Sequence, residues 1–299
     1  VATRISQLAK NVRHQLSKVP DDVKIDELAP VARRVLLNGL IALEAHRDAI
    51  TVVGAQAVHL LTEHVPITTG TYTSDGDLGL DPALLPDEPL IQKALLEAGF
   101  ERLDAHQAGL WFTYEEVAGK SVPVELDLLI GTTLAETGRR SVRIDPHDKM
   151  AARAVPGLET AVVDRQLMVV TALEESDSRE IAVHVAGPAA LFVAKSHKLH
   201  DRLAGSTTDP GRLHAKDAGD VYRLMAGTRP SEVALRFEQL LEDDRVGAVT
   251  ATGLAYLREQ FGGRDAPGVR LAVEALAGVV PESTIRGFAT AYVAALPGN

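Results

Sequence analysis

The stretch 50-ITVVGAQAVHLLTEHVPITTGTYTSDGDLGLDP-82 changes its hydrophobic period twice, and the fold is read from those changes. Residues 50–53 are a short β-branched run ended by Gly54. The AQAVHLLTEHV that follows carries apolar residues at helical spacing, so a strand, a tight turn and a helix are expected. After a polar Thr/Gly stretch, SDGDLGL alternates. Asp75 and Asp77 fall on one face of that segment, and Leu78 and Leu80 point mostly to the other. Asp-Gly-Asp has three readings. Asp-Gly suits a type I′ hairpin turn, whose central residues need positive φ. A calcium loop starting at Asp75 would put Leu80 where glycine is needed and Pro86 where a bidentate glutamate is needed. A D-x-D pair at a strand end would aim both carboxylates the same way, which suits a hard, oxygen-seeking ion such as Mg²⁺.

Working outward, residues 4–18 and 26–47 repeat apolar positions at helical spacing (Ile5, Leu8, Val12, Leu16; Leu28, Val31, Val35, Leu36, Leu40, Leu43), with Asp26 placed to cap the second. PLIQKALLEAGF reads as a helix ending at Gly99. Alternation returns at 109–116, 121–131, 159–173 and 180–185, the strands of a mixed sheet. From Gly187 the pattern is helical, through AALFVAKSHKLHDRLAG, a STTDPG loop, GRLHAKDAGDVYRLMAG and four further amphipathic segments over 230–296. The expectation is an α/β (α+β) chain: a mixed sheet flanked by helices, with a C-terminal all-helical bundle. The soft boundary at 187 gives a sheet domain over 1–186 with two leading helices, and a helical domain over 187–299.

With 299 residues, 45% of them hydrophobic, the chain can bury a sizeable core. Its formal charge of −10 and pI near 5.5 lack the overall basic footprint of a protein that coats nucleic acid, so a nucleic-acid substrate needs a local patch. Without cysteine there are no disulfides, no thiolate chemistry and no zinc–thiolate sites. No apolar run approaches the roughly 20 residues that cross a bilayer, and the first residues carry no signal-peptide h-region. A soluble, cytoplasmic protein with no membrane partner is expected.

A two-metal site needs a further carboxylate from a neighbouring strand. Asp127, in VPVELDLL, is the candidate: Val122, Val124, Leu126 and Leu128 form one face, and Glu125 and Asp127 the other. The plainer reading is a half-exposed strand whose acids meet water. In 195-KSHKLHDR-202, Lys195, Lys198 and Arg202 recur at i, i+3 and i+7, one helix face that can meet triphosphate oxygens or simply be solvated. Asp217 and Asp220, in KDAGD, lie beside the apolar stripe of Val221 and Leu224, an unusual place for acids; Lys216 and Asp220 can also form a plain i, i+4 pair. His197, His200 and His214 show no zinc spacing. There is no Walker A loop, no G-x-G-x-x-G after a strand and no G-x-S-x-G elbow.

In order, VVGAQAVHLL, SDGDLGL, VELDLLIG, AKSHKLHDR and KDAGDVYRL resemble the AbiEii/MenT-type nucleotidyltransferase toxins, minimal relatives of the DNA polymerase β superfamily. The resemblance covers residues about 50–225. It implies a nucleotidyltransferase-like sheet domain with Gly54 and Ala55 at the turn facing the nucleotide's phosphates. It makes Asp75, Asp77 and Asp127 the ligands of two Mg²⁺ ions, Lys195 the partner of the triphosphate, Asp217 an acid beside the site, and Lys198, Arg202 and Asp220 supporting residues. The implied activity is transfer of a nucleoside monophosphate from a nucleoside triphosphate to RNA, the tRNA 3′ end, by a toxin with a cognate antitoxin. A patch of Lys195, Lys198, Arg202, Arg212 and Lys216 would hold the RNA backbone. The superfamily usually has Gly-Ser where this chain has Gly54-Ala55, so a serine contact to phosphate is missing. Transfer to a protein or small molecule, a catalytically inactive interaction module, and a structural protein with hairpin and surface acids are the alternatives.

Overall fold

The computed structural model describes residues 25–67, 75–102, 107–117, 119–137, 141–205 and 214–298. The helix expected over 4–18, the STTDPG loop and Arg212 lie outside these. The chain runs α1 (Ile25–Ala42), β1 (Ile50–Val53), α2 (Gly54–Leu61), β2 (Asp75–Leu80), α3 (Ile91–Glu97), β3 (Glu101–Arg102), β4 (Leu110–Val117), β5 (Lys120–Gly131), β6 (Glu136–Thr137), β7 (Val142–Arg143), β8 (Arg153–Val155), β9 (Arg165–Thr171) and β10 (Glu180–Ala186). Helices follow: α4 (Pro188–Gly205), α5 (Lys216–Gly227), α6 (Pro230–Leu241), α7 (Gly247–Phe261), α8 (Pro267–Ala275) and α9 (Glu282–Ala294). This is the expected mixed sheet flanked by helices, with helices alone after the last strand among the described residues.

The sheet order is β3-β4-β5-β2-β1-β10-β9, with β8 pairing β5 off that path. β2 runs antiparallel to β1 and parallel to β5, so the acidic strand sits between both neighbours. Asp-Gly-Asp is therefore a strand, not the turn of a hairpin. Gly76 answers to packing: a Cβ there would lie 3.0 Å from Leu126 Cδ1 and 3.3 Å from Leu36 Cδ1, where α1 presses on the sheet. The hairpin turn proper joins β4 to β5, which pair up to Val117 and Lys120 across Gly119 (φ +75°).

One face of β2 and β5 buries Leu78, Leu126 and Leu128 against Leu36 of α1, all fully excluded from solvent. Each such side chain contributes about 1.5–3 kcal/mol relative to exposure. That apolar face fixes the register, and the register sends Asp77 and Asp127 to the opposite face.

Some boundaries differ from expectation. The helix expected over 26–47 ends at Ala42 and gives way to a 3₁₀ turn, Glu44–Ala49. The strand expected over 159–173 shortens to β9, because Glu159–Val162 form a 3₁₀ turn. That turn lets Glu159 accept the Thr133 N–H (3.1 Å) and Asp164 accept the Ala190 N–H at the start of α4 (2.8 Å). No described helix is long and apolar enough to cross a membrane.

Candidate active site

β1 delivers the chain into α2 through Gly54, whose φ is +69°. Val53 is the register partner of Asp77, so Asp77 projects beside the turn, and a Cβ on Gly54 would overlap its carboxylate. Glycine is required twice over, for the left-handed backbone and for the space the carboxylate fills. Ala55, expected beside the phosphates, is 5% exposed and packs into the core rather than lining the cavity described below. A serine there would face the same way, so its absence removes less than the sequence suggests.

On the parallel pair β2/β5, Asp77 lies directly opposite Asp127 and Asp75 opposite Glu125. Burial, reinforced by Asp75, pushes the Asp77 carboxyl up to about 6, against the opposing pull of Lys198, Lys195 and Arg153. Asp127 is raised well above the usual carboxylate range, first by burial and then by Asp77 and Asp75, despite its ion pair with Arg153. The three acids do converge. Asp75 is half-buried at the strand's start, and its carbonyl accepts Gln56 Nε2 (3.1 Å).

Arg153 was not singled out by any sequence motif. It stands on β8 opposite Leu129, two residues past Asp127, so period-2 geometry returns its guanidinium to Asp127 Oδ2. Only the long-range pairing of β5 with β8 makes it a neighbour, and nothing local in KMAARAVPG signals that.

α4 supplies the opposite wall. Lys195 is 4% exposed, and its Nζ donates to Asp220 Oδ2 (2.6 Å) and Asp217 Oδ1 (3.0 Å). Burial opposes its charge, but Asp220 and Asp217 outweigh that and hold the ammonium well above its ordinary value. Lys198 Nζ lies 3.2 Å from Asp217 Oδ1, and Arg202 pairs with Asp217 Oδ2. Asp217 is 3% exposed; burial would raise it, yet Lys195, Lys198 and Arg202 together hold it far below the usual range. Its oxygens are occupied by these cations, which makes it a positioning residue behind the basic face. Lys195 is too deep to belong to a surface patch for RNA, a correction to the sequence reading; its charge is committed to two buried carboxylates.

Between the walls lies a cavity of about 360 Å³, bordered by Gly54, Asp77, Arg153, Lys195, Lys198 and Arg202, with Asp201 at its rim and Leu129, Leu158 and Leu191 as apolar wall. Of the three acids Asp77 borders it, Asp127 lies behind Arg153, and Asp75 flanks the pair. Volume and lining suit a phosphate-bearing small molecule.

Two features of the donor set fit Mg²⁺. Asp127 Oδ1 is buried with no hydrogen-bond partner among the described residues, and Asp77 and Asp127 carry insufficiently compensated negative charge, as a cation would require. Among the described residues no three His, Asp or Glu side chains are arranged to hold a metal by themselves. Mg²⁺ is usually held by one or two carboxylates, with water and substrate phosphates completing its shell, and that is the fit available here. Asp77 and Asp127 would hold it, with Asp75 beside them.

Compared with protein-family models, with curated proteins and with solved structures, the chain finds no match in any of the three.

Proposed function

We propose that this chain is a Mg²⁺-dependent nucleotidyltransferase of the AbiEii/MenT toxin kind. The observation that carries the reading is the in-register pair Asp77/Asp127, both carboxyls raised by burial, with Asp77 on the wall of a cavity that Gly54 opens and that Lys198 and Arg202 also line. The triphosphate lies along α4, its charge met by Lys198 and Arg202 on the open side and by Lys195 from beneath. Arg153 leaves Asp127 for a phosphate oxygen, and Asp127 accepts the proton of the acceptor hydroxyl as that oxygen attacks the α-phosphorus in line. The new O–P bond forms as the bond to pyrophosphate breaks. When bound, Mg²⁺ offsets charge on the attacking and leaving oxygens. The acceptor in this reading is RNA, the tRNA 3′ end, and a cognate antitoxin restrains the activity in the cytoplasm.

Incubating the protein with each labelled nucleoside triphosphate plus total RNA, and separately with protein fractions, tests reaction and acceptor together. Labelled RNA that disappears with Asp77→Ala supports the proposal; full activity in that variant refutes it. Label in protein moves the acceptor and keeps the chemistry.

The observation favouring an inactive interaction module is that the basic residues already have internal partners: Lys195 holds two carboxylates and Arg153 holds Asp127. Titrating Mg-nucleotide separates the two readings, since a module would bind none.

A further inference from the structure

The two edges of the main sheet are built differently. One edge is β3, two charged residues long, Glu101 and Arg102. The other is β9, whose run from Gln166 to Thr171 holds no charge, proline or glycine. Short length, charge and proline are the usual guards against pairing with another chain, and that run has none of them. Among the described residues no strand pairs with its outer side. The ladder to β10 continues at both ends, through the Ala172 N–H to the Arg179 carbonyl (3.0 Å) and the Gly187 N–H to the Asp164 carbonyl (2.7 Å). Even-numbered residues of β9 therefore bond to β10, and odd-numbered ones turn their N–H and C=O outward. The Thr171 carbonyl follows this rule, accepting Arg33 Nη1 (2.9 Å) rather than a β10 amide. Leu167 and Val169 lie on the open edge, 66% and 56% exposed.

We infer that β9 pairs with β9 of a second copy of this chain, joining two sheets into one. A closed dimer relates the two strands by a two-fold axis, so they run antiparallel and the contact is self-complementary. Centred on Met168, the pairing sets Leu167 opposite Val169 of the other copy. Both have outward N–H and C=O groups to exchange, and their exposed side chains meet in one apolar cluster. Arg165 then lies level with Thr171 of the other copy, whose neighbour on β10 is the exposed Glu180. Within its own chain Arg165 donates to neutral oxygens, the Asp48 carbonyl (2.9 Å) and Thr51 Oγ1 (3.4 Å). A basic end thus meets an acidic end on each side of the axis, and that match favours a second copy over an unrelated partner. The inference does not depend on nucleotidyl transfer.

The test is sedimentation equilibrium of the full chain over a range of concentrations. A monomer–dimer equilibrium is expected, weakened at least about tenfold in Val169→Lys, which places a charge from each copy in the apolar cluster. The chain has no cysteine, so Met168→Cys carries a single thiol and decides the matter even if Val169→Lys fails to fold. On the axis that thiol faces its own copy across a non-hydrogen-bonded pair, with Cα atoms about 4.5 Å apart, a separation a disulfide spans. Mild oxidation should link the Met168→Cys subunits and leave Gln166→Cys, set off the axis, unlinked. Monomer at every concentration, a dimer indifferent to Val169→Lys, or linkage that fails at 168 or forms equally at 166 would overturn the inference. Protection of the Leu167 and Val169 amides from hydrogen exchange in a monomer would also overturn it, by assigning the edge to another segment of the same chain.

Discussion

Asp77 is held where burial disfavours its charge. Its carboxyl is pushed up to about 6 by burial and by Asp75, against about 3.9 expected in an unfolded chain. The unfolded state then loses its proton first, so this group makes stability fall as pH rises from about 4 to about 6, and the penalty is constant above. Asp77→Asn should raise the melting temperature at pH 7.5, leave it little changed at pH 4, and reduce nucleotide transfer by on the order of a hundredfold or more. A melting curve at each pH and one labelling assay check all three. Mg²⁺ competes with the same proton, so its stabilising effect on the wild type should appear as pH rises through about 6 and be absent from the variant. Gly54→Ala meets both a positive φ and the Asp77 carboxylate, and should cost more than about 1 kcal/mol in denaturant unfolding as well as the transfer activity.

Between elements, the contact that joins α4 to α5 is electrostatic as well as apolar. Lys195 of α4 is clasped by Asp217 and Asp220 of α5, all three buried. Removing one partner of such a group leaves an uncompensated charge; Asp220→Ala is expected to cost about 3–5 kcal/mol, measured by urea unfolding. Much of this was legible in the sequence. The strand–glycine–helix turn, the two strands bearing Asp75, Asp77 and Asp127, and the shared face of Lys195, Lys198 and Arg202 all follow from periods of 2 and 3.6. The order of strands does not, because it depends on pairings distant in sequence, and Arg153 entered the site only through that order. Nor could the sequence separate a phosphate-binding lysine from one buried between two acids. Asp217 and Asp220 beside an apolar stripe were the hint, and burial is what turned it into an ion cluster.

For the molecule as a whole, the boundary read at residue 187 follows the last described strand without dividing the cavity, whose walls come from both sides. Heating should therefore give a single unfolding transition by calorimetry rather than two, and Lys195→Met should lower it as one event. Around the cavity Arg153, Lys195, Lys198 and Arg202 are outnumbered by Asp75, Asp77, Asp127, Asp201, Asp217 and Asp220. That surplus dictates an order of arrival. A naked polyanion approaching at neutral pH would be turned away, so the nucleotide must come escorted by its divalent ion, and chelation should abolish binding itself, not merely turnover.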